Sequence, residues 1–366
     1  MSDVTRSNPN MSMNMILNLK PGARGRGWRR PLLVVACLGL AAAGCGSSST
    51  AGSGSSASAS ASASSSAAVS GTANVAYASS LQYLNEKIVG PAFAKSTGAT
   101  YSGRAGASGE LSSGIAAGEI SPNVFESVGG DNITPLEPKY TKWYVEYATT
   151  SIVVAYNPKS KYASQLKAIA SGTEPVKDLF GIFQKPGFKL GRTDPNIDPQ
   201  GRAFIYMLEL AAAKYHLPSD TVTKILGGPL ASTKSSEIYA EASLDATLQS
   251  GQLDASSAYL SQAIQLHLPY ITLPADINLG SPADAAQYHN ASITITGNMT
   301  KHGSPLTIDI TTIGTPTVAG TAFVAYVLSP AGLALHKQGG YTLITPPTMF
   351  GDKSAIPASV TSELGG

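Results

Sequence analysis

Residues 191–202 read Gly-Arg-Thr-Asp-Pro-Asn-Ile-Asp-Pro-Gln-Gly-Arg and place two Asp-Pro steps directly before a long predicted helix. Proline is favoured at the first position of a helix, and aspartate is favoured as the N-cap residue before it. Asp198 and Pro199 therefore predict a helix start. A cap explains Asp198 without a ligand, with Arg192 or Arg202 as its ion-pair partner. The density of special residues in this segment favours a further role in binding.

Around this segment, short β-rich runs alternate with helical runs from residue 74 onward. The pattern predicts an α/β fold with largely parallel sheets. Strands are predicted at 74–78, 123–128, 151–156, 188–191, 255–259, 270–273 and 306–312. Helices are predicted at 81–95, 111–117, 201–215, 235–249 and 319–337.

Two serine-containing junctions lie between predicted strands and helices. Ser79 and Ser80 end the first strand, and Ala107-Ser108-Gly109 precedes the second helix. The N-terminus of a helix exposes unpaired N–H groups with partial positive charge, and a serine there adds a hydroxyl donor. Two such junctions facing one cleft would hold an oxyanion. The alternative is that each serine is an N-cap and binds no ligand.

The first 44 residues are predicted to be a bacterial lipoprotein signal peptide, followed by Cys45 as the lipidated residue. Arginines precede an apolar run at 32–43 that is too short to span a bilayer, and Ala43-Gly44 supplies the small residues before the cysteine. An ordinary cleaved secretory signal and a twin-arginine signal at Arg29-Arg30 are the alternatives. The expected location is extracytoplasmic, with the chain anchored to the cell membrane by lipid.

Residues 46–70 contain only Gly, Ser, Ala and Thr with one Val. With the lipidated cysteine they form a predicted disordered tether at 45–70, and its length gives a reach of about 25–30 Å from the membrane. The other cysteine, Cys37, lies in the predicted signal peptide. The mature chain is therefore expected to have neither a disulfide nor a thiolate metal site.

The formal net charge of +2 arises from the basic residues of the predicted signal peptide. The first 44 residues hold six Lys or Arg residues and one acidic residue, which leaves 19 basic and 22 acidic residues in the remainder. No basic cluster follows the signal peptide, so nucleic acid is not an expected partner. Any anion-binding site must therefore be formed by a few neighbouring groups and not by an extended basic surface.

A serine hydrolase is the enzyme class to weigh against a binding protein. The five histidines lie outside the serine junctions, and no Gly-x-Ser-x-Gly elbow is present. Ser164 and Lys167 satisfy Ser-x-x-Lys, but no Lys-Thr-Gly accompanies them. The histidines form no spaced metal cluster, and the glycine-rich run at 103–109 lacks a nucleotide-binding spacing. We therefore expect no catalysis, no cofactor and no free metal cation, and an exported serine hydrolase is the least supported alternative.

The chain resembles the substrate-binding proteins of molybdate and tungstate ABC transporters, in particular their tungstate-type branch. The most specific match is the Gly-Arg-x-Asp-Pro and Asp-Pro-x-Gly pattern of 191–202, and the resemblance extends from Ala73 to about Pro347. Its other motifs include 77–81 (Tyr-Ala-Ser-Ser-Leu), 107–111 (Ala-Ser-Gly-Glu-Leu), 122–125 (Pro-Asn-Val-Phe), 143–150 (Trp-Tyr-Val-Glu-Tyr-Ala-Thr-Thr), 273–279 (Leu-Pro-Ala-Asp-Ile-Asn-Leu) and 322–332 (Ala-Phe-Val-Ala-Tyr-Val-Leu-Ser-Pro-Ala-Gly).

The resemblance implies a two-lobed, type II periplasmic-binding-protein fold that closes like a hinge on a ligand held in the cleft between the lobes. Lobe I is expected at 71–148 plus 311–366, and lobe II at 149–310. The implied function is capture of an oxyanion, with molybdate or tungstate favoured, and its delivery to the permease of an ABC transporter. A monomer is expected.

The ligand-binding residues implied by position are Ser80, Ser108, Thr150, Ser151, Asp198 and Tyr259. The first two correspond to the family's two oxyanion-contacting serines, and Thr150 or Ser151 to a strand start whose main chain contacts the ligand. Asp198 corresponds to a carboxylate that contacts the metal centre of the oxyanion and helps to raise its coordination from four towards six.

One acid expected from the resemblance is missing. Aligning 253–259 (Leu-Asp-Ala-Ser-Ser-Ala-Tyr) with the family's Leu-Asp-Tyr-Ala-Phe-Glu-Tyr places Ala258 where the family has glutamate. The remaining groups suit a tetrahedral dianion better than a six-coordinate metal. An ionised Asp198 repels a dianion unless it bonds the metal, accepts a ligand proton or turns away to cap its helix. Hydrogen phosphate, which has a proton to give, is the competing ligand, and an anion sensor without a transporter is the competing function.

Overall fold

The computed structural model of the chain describes residues 68–232 and 237–365, so the predicted signal peptide, Cys45 and the predicted tether up to residue 67 lie outside the described residues. In this part of the chain the strands, numbered in chain order, are β1 (Thr72–Ala78), β2 (Thr100–Gly106), β3 (Val124–Val128), β4 (Trp143–Thr150), β5 (Ile152–Tyr156), β6 (Leu190–Gly191), β7 (Ala255–Tyr259), β8 (Tyr270–Ile271), β9 (Ser292–Ile295), β10 (Met299–His302), β11 (Leu306–Thr312) and β12 (Thr342–Gly351).

The α-helical segments are α1 (Gln82–Leu84), α2 (Gly90–Thr97), α3 (Ser108–Ala117), α4 (Ala163–Ala170), α5 (Asp178–Phe183), α6 (Pro199–Lys214), α7 (Thr221–Leu226), α8 (Glu241–Gln249), α9 (Leu260–Gln265), α10 (Ala275–Asn278), α11 (Ala285–Tyr288), α12 (Val318–Leu328), α13 (Pro330–Gln338) and α14 (Ala358–Thr361). A 3-10 turn at Ser79–Leu81 precedes α1, and a π-helical turn at Asn85–Val89 joins α1 to α2. Residues 79–97 are therefore helical without a break.

The described strands form two main sheets and a separate antiparallel hairpin of β9 and β10. The six-stranded sheet has the order β12-β4-β11-β3-β1-β2, in which β1 is parallel to β2 and β3 while the pairs made by β11 and β12 are antiparallel. The four-stranded sheet has the order β6-β7-β5-β8, and only the β6–β7 pair in it is parallel. The prediction of largely parallel sheets was wrong, because both sheets are mixed.

The connections explain this mixture. Parallel neighbours need a crossover connection, usually a helix, and helices do join β1 to β2 and β2 to β3. By contrast, β4 passes through Ser151 alone into β5, which belongs to the other sheet, and the chain returns to the first sheet only at β11. The expected lobe limits at 148/149 and 310/311 fall inside β4 and β11. The division into two lobes stays a prediction.

Aromatic side chains hold helices against each sheet. Phe93 of α2 packs edge-on against Phe323 of α12, with ring centroids 5.2 Å apart. Near the four-stranded sheet, the rings of Phe183 and Phe204 lie 6.4 Å apart and connect α5 to α6. All four rings are buried. This packing fixes α6, whose first turn carries Asp198 and Gln200.

Most of the predicted elements are confirmed to within two residues, including the helix at 201–215, observed as α6, and the strand at 255–259, observed as β7. Two predicted helices, those at 235–249 and 319–337, need correction. The helix predicted at 235–249 begins at Glu241 in the described residues, since Ala240 is extended. Among the described strands, β2, β4 and β12, together with the β9–β10 hairpin, were not predicted.

The helix predicted at 319–337 is broken at Ser329. Pro330 lacks an N–H and cannot continue α12, and the Ser329 hydroxyl instead caps α13 by accepting the N–H of Gly332. Within the described residues, no single helix has the length and hydropathy of a membrane span. Only α12 and α13 taken together meet that test, and they are bent by 63° at their junction.

Candidate functional site

Ser80 lies in the 3-10 turn that directly follows β1. Its side chain is 3% exposed, and its Oγ atom has no hydrogen-bond partner among the described residues. The N-cap of this turn is Ala78, and no serine side chain caps the turn or α1, so the N-cap alternative is wrong for Ser80. Buried hydroxyls are normally hydrogen-bonded, which makes this Oγ atom a candidate ligand contact.

Ser108 is the first residue of α3 and is fully enclosed. The N-cap of α3 is Ala107, and the Ser108 Oγ atom instead accepts the N–H of Val128 at 3.1 Å. The N-cap alternative is therefore wrong here too. Because this oxygen acts as an acceptor, its own proton remains available for a further bond.

Gly109 places the start of α3 against the loop that contains Asp198. A Cβ atom at this position would lie 2.6 Å from the main-chain oxygen of Ile197, a distance that real Cβ atoms do not reach. Glycine at this position is therefore required for the close approach of α3 to the loop. This contact places the residue that follows Ser108 against the residue that precedes Asp198.

Asp198 is the N-cap of α6, as the sequence predicts. Its Oδ1 atom accepts the main-chain N–H of Gln200 at 2.8 Å, and Pro199 occupies the first helical position. Burial raises the pKa of the Asp198 carboxyl to about 6, although the Gln200 N–H and the charge of Arg202 lower it in part. The Asp198 side chain therefore both caps α6 and supplies a buried acid.

The two arginines proposed as ion-pair partners of Asp198 lie in different places. Arg202 is near enough for its charge to favour the ionised carboxyl, and its guanidinium donates to the Pro195 carbonyl at 3.3 Å. Arg192 donates to the Ser232 carbonyl at 2.9 Å. Arg202 is thus the arginine that acts on Asp198.

Glu241 is a second buried acid of the site, and the sequence reasoning missed it. It is the first residue of α8 and only 5% exposed, and its Oε1 atom accepts the side-chain amide of Gln200 at 3.1 Å. The main-chain N–H of Ser80 faces the same carboxylate. Burial, reinforced by the negative charges of Asp198 and Asp245, raises the pKa of Glu241 well above its usual value.

A network of amides holds these acids. Gln200 also donates to Gln262 Oε1 at 2.9 Å, and its own Oε1 atom accepts the Ser257 hydroxyl at 2.8 Å. Gln262 in turn reaches Asp245 at 3.4 Å. These bonds connect α6, β7, α8 and α9, so the carboxyl groups are set by the packing of the four-stranded sheet.

Tyr259 ends β7 and is 1% exposed. Its hydroxyl has no hydrogen-bond partner among the described residues. Burial, together with the charges of Asp198 and Glu241, raises the pKa of this hydroxyl well above its usual value, so it remains a protonated donor. The preceding residue, Ala258, packs in an apolar cluster with Leu244 and Leu253. Successive strand residues point to opposite faces, which explains why Tyr259 joins the polar group and Ala258 does not.

Thr150 and Ser151 lie where β4 passes into β5. The Thr150 hydroxyl donates to Ser261 Oγ at 3.2 Å and accepts the Ser261 N–H at 3.4 Å, while the Ser151 carbonyl accepts the N–H of Leu260 at 2.8 Å. These bonds fasten the crossing between the sheets to the start of α9, directly after Tyr259.

The structure therefore brings Ser80, Asp198 and Tyr259 together around Glu241. Ser108 lies next to the Gly109–Ile197 contact. Thr150 and Ser151, the other two predicted residues, form hydrogen bonds to the start of α9. The Ser79–Leu81 turn contacts both α8 and α9, so residues of the two sheets meet here. A cavity of about 600 Å³ opens beside this group and is lined by Ser79, Ser80, Asp245 and Gln262 among other residues.

The buried histidine of the described residues lies away from this group. His336 is buried elsewhere, where its Nε2 atom lies 3.0 Å from the Tyr147 hydroxyl and its Nδ1–H group donates to the Gly332 carbonyl at 2.9 Å. In the parts of the chain that the structure describes, no group of three His, Cys, Asp or Glu residues could hold a metal ion. The Ser80 and Tyr259 hydroxyls are suited to donating hydrogen bonds to an anion, which would then lie beside the two acids Asp198 and Glu241.

Residues 73–342 match the family described as bacterial extracellular solute-binding protein. The chain belongs to this family. It is a family of solute-binding proteins and not of enzymes, which confirms the prediction of a binding protein over a serine hydrolase. Membership also supports the expected extracytoplasmic location. The lipid anchor at Cys45 stays a prediction, because that residue lies outside both the matched region and the described part of the chain.

Several curated relatives share about a third of their residues with this chain over the matched region. A Haloferax volcanii protein provisionally named an ABC transporter molybdenum-binding protein is 32% identical over 215 residues, which are 59% of this chain and 65% of that protein. The molybdate/tungstate-binding protein WtpA of Pyrococcus abyssi is 31% identical over 234 residues, or 59% of this chain and 66% of that protein. The chain thus spans just under two thirds of these relatives.

Among solved structures, the periplasmic molybdate-binding protein of Azotobacter vinelandii aligns with 74% of this chain and 98% of its own. The TM-score is 0.51 and the sequence identity is 19%, so the likeness concerns the fold. The predicted α/β, type II periplasmic-binding-protein fold is confirmed.

Proposed function

We propose that this chain captures a small oxyanion outside the cytoplasm, with molybdate or tungstate favoured, and delivers it to the permease of an ABC transporter. The observation that carries the proposal is the buried group of Ser80, Asp198, Glu241 and Tyr259, where two hydroxyls that have no hydrogen-bond partner among the described residues adjoin two carboxyls. The printed names of the Haloferax and Pyrococcus relatives support the same class of ligand.

In the proposed complex, hydroxyls from both sheets bind the oxygens of the ligand. Within the described part of the chain, the Ser80 and Tyr259 hydroxyls have no hydrogen-bond partner, and the Ser108 hydroxyl can donate because its oxygen accepts the Val128 N–H. Hydrogen bonds to a charged acceptor in a dry site are about twice as strong as neutral ones. The main chain at Thr150 and Ser151 is the further predicted contact.

Asp198 needs a different contact, because a carboxylate repels an oxyanion unless it bonds to the central metal or to a proton of the ligand. The proposed contact is between its carboxylate and the metal centre of molybdate or tungstate, which are here the transported ligand. Hydrogen phosphate is the second candidate, since its proton would be donated to one of the two buried carboxyls. Sulfate offers neither a proton nor a metal centre.

Capture requires the site to open and close. The two sheets meet at the Ser79–Leu81 turn and at the contact of Gly109 with Ile197, while β4–β5 and the return to β11 connect them covalently. A ligand held by donors from both sides stabilises the closed form over the open one. We propose this hinge motion between lobes at 71–148 plus 311–366 and at 149–310.

The proposal includes a membrane anchor. Lipidation of Cys45 and a tether at 45–70 would hold a monomer near its permease, with a reach of about 25–30 Å. Metabolic labelling with a radioactive fatty acid tests this, since the wild-type chain should incorporate the label and a Cys45→Ser variant should not. Equal labelling of the two would refute the anchor and leave the binding function untouched.

The binding function is tested by titrating the chain from Gly71 onward with tungstate, molybdate, phosphate and sulfate in a calorimeter. We expect one site per chain for tungstate or molybdate and little heat from sulfate. Binding of phosphate alone would favour the second candidate. An absence of binding by all four anions would contradict an oxyanion function.

A further inference from the structure

Four polar side chains form a buried cluster between the six-stranded sheet and its helices, apart from the acids of the anion site. Glu126 lies in the middle of β3, Tyr147 in β4 and His336 in α13, and Asn85 begins the π-helical turn that follows α1. The exposed fraction of each of the four residues is 0%. A buried carboxylate is costly unless its charge is compensated, so the protons of this cluster must be accounted for.

The hydrogen bonds of the cluster meet at Glu126. Asn85 Nδ2 donates to Glu126 Oε2 at 2.6 Å, and the Tyr147 hydroxyl donates to Glu126 Oε1. His336 Nε2 lies 3.0 Å from the Tyr147 hydroxyl and 3.5 Å from Glu126 Oε1, while its Nδ1–H group is used by the Gly332 carbonyl. One carboxylate oxygen, one phenol oxygen and one imidazole nitrogen therefore lie within 3.5 Å of one another.

These three atoms need one proton more than an ionised glutamate, a tyrosine and a neutral histidine supply. Burial, reinforced by the charge of Glu126, raises the pKa of Tyr147 well above its usual value, so its hydroxyl keeps its proton. That proton can serve Glu126 or His336, but not both. The other contact needs a second proton, carried by His336 Nε2 as an imidazolium or by Glu126 as a carboxylic acid. Both arrangements have zero net charge, which a fully buried site favours.

The cluster is connected to Ser80 by two routes. Asn85 belongs to the same unbroken helical run at 79–97 as Ser80, and α13 packs against the π-helical turn that Asn85 begins. The second route is Tyr341, whose ring lies 5.8 Å from that of His336 and whose hydroxyl donates to the Ser80 carbonyl at 3.4 Å. The main-chain N–H of Tyr341 also donates to the His336 carbonyl at 3.2 Å. A displacement of the cluster would therefore shift the main chain that carries the Ser80 hydroxyl.

On the basis of the proposed oxyanion function, we propose that Glu126 and His336 share one buried proton and act as positioning residues that hold the Ser80 turn in place for the anion. A cluster without this proton has an uncompensated charge beside Asn85, and the helical run that begins at Ser79 loses its fixed support. Anion affinity then decreases, although neither Glu126 nor His336 contacts the ligand.

Further titratable groups stand around the cluster: Tyr77 in β1, Glu86 in the π-helical turn, Tyr101 in β2, Asp309 in β11 and Tyr341. Burial raises the pKa of each of these three tyrosines, so they stay neutral at pH 9. Burial also raises the pKa of Asp309 well above its usual value. These groups are the same in the wild type and in variants of the cluster, so a comparison at each pH isolates the shared proton.

The shared proton is tested without any anion, by urea unfolding of the wild type and Glu126→Gln at pH 7 and pH 9. A glutamine amide can donate to the Tyr147 oxygen and accept from Asn85, while Tyr147 donates to neutral His336, so every contact is kept without the extra proton. In the unfolded chain, glutamate is ionised and histidine is mostly neutral above about pH 7. The native wild type thus binds one proton more than its unfolded chain, and its stability falls as pH rises.

We therefore expect the urea midpoint of the wild type to fall relative to that of Glu126→Gln between pH 7 and pH 9. Glu119→Gln, which removes the same charge from an exposed position, is the matched control and should follow the wild type at both pH values. A difference between the wild type and Glu126→Gln that stays constant with pH overturns the shared proton.

The positioning role is tested by tungstate calorimetry at pH 8 on folded protein. His336→Phe removes the nitrogen that shares the proton, and we expect its affinity for tungstate to fall by about fivefold or more. Adding Glu126→Gln to His336→Phe removes the uncompensated charge and should restore most of that affinity. A merely structural cluster would lower the urea midpoint of His336→Phe and leave the affinity of the folded chain unchanged.

The outcomes are separable. An unchanged tungstate affinity in His336→Phe overturns the positioning role and leaves the proposed function standing. If His336→Phe does not fold, the affinity of the double variant decides, since a value well below that of Glu126→Gln supports positioning and an equal value contradicts it. A wild-type chain that binds no tungstate, molybdate or phosphate overturns the proposed function and the positioning role with it, whereas the urea comparison still reports on the proton alone.

Discussion

Gln200 donates its side-chain amide to the Glu241 carboxylate at 3.1 Å. The main-chain N–H of the same residue donates to Asp198 Oδ1 at 2.8 Å, so one glutamine holds both acids. Its amide oxygen is used by Ser257, which prevents the amide from turning away. The separation of the two carboxyl groups is therefore fixed by the first turn of α6 before any ligand arrives.

The two serines should respond differently to removal of their hydroxyls. Ser80→Ala removes an oxygen that has no hydrogen-bond partner in the described parts of the chain, so affinity for the anion should fall by about tenfold or more while the melting temperature changes little. Ser108→Ala also removes the acceptor of the Val128 N–H, so the free energy of unfolding should fall by about 1–3 kcal/mol in addition. Calorimetry and urea unfolding measure the two effects. Unchanged affinity in both variants would be incompatible with the assigned site.

The cap and the acid of Asp198 can be separated by two substitutions. Asparagine caps helices about as well as aspartate, so Asp198→Asn should keep most of the stability and change the affinity for tungstate or molybdate. Asp198→Ala should lose about 1 kcal/mol of stability as well. Thermal melts and binding titrations of the two variants provide the comparison. If Asp198→Asn binds every anion as the wild type does, the acid serves only as a cap.

The contact between α3 and the Asp198 loop depends on Gly109. Alanine there would place a Cβ atom 2.6 Å from the Ile197 oxygen and force the two elements apart, so Gly109→Ala should weaken anion binding. Gly114→Ala in the same helix is the control, because its Cβ atom would meet nothing closer than 3.4 Å and alanine favours helix. We expect only the first variant to lose affinity in calorimetry. Equal affinities of the two variants would show that close contact at Gly109 is not needed for binding.

Stability should depend on pH through Asp245. Burial raises its pKa to about 7, and Gln262 and the neighbouring acid Glu241 face it. An unfolded aspartate releases its proton near pH 4, so between about pH 4 and 7 only the native state retains this proton. The free energy of unfolding therefore falls as pH rises through this interval, by at most about 1.4 kcal/mol per pH unit.

Asp245→Asn should remove this contribution. We expect the stability of the variant relative to the wild type, measured by urea unfolding, to increase from pH 5 to pH 7. A difference that stays constant over this range would show that Asp245 does not hold a proton in the folded chain.

The parts of the site that depend on neighbouring residues in sequence could be predicted. Asp198 and Pro199 start α6 because a cap and a first-turn proline are local preferences, and the structure confirms both. Glu241 could not be found in this way, since its role comes from the approach of α8 to the Ser79–Leu81 turn of the other sheet. The predicted helix also began too early, which hid the fact that Glu241 stands at a helix start.

The same limit explains the errors in the fold. Alternating strands and helices predicted parallel pairing, but the directions of β11 and β12 are set by where the chain returns to the six-stranded sheet. The serines were open to an N-cap interpretation because a serine before a helix is locally ambiguous. Only the positions of Ala78 and Ala107 as caps resolved it.

The most direct test of the oxyanion site is anomalous diffraction at the tungsten edge from a crystal of the chain from Gly71 grown with tungstate. We predict a single strong anomalous peak one bound oxygen away from the Ser80 and Tyr259 hydroxyls, beside the Asp198 and Glu241 carboxyl groups. A peak at another place, or none at tungstate concentrations that saturate the protein in solution, would contradict the account.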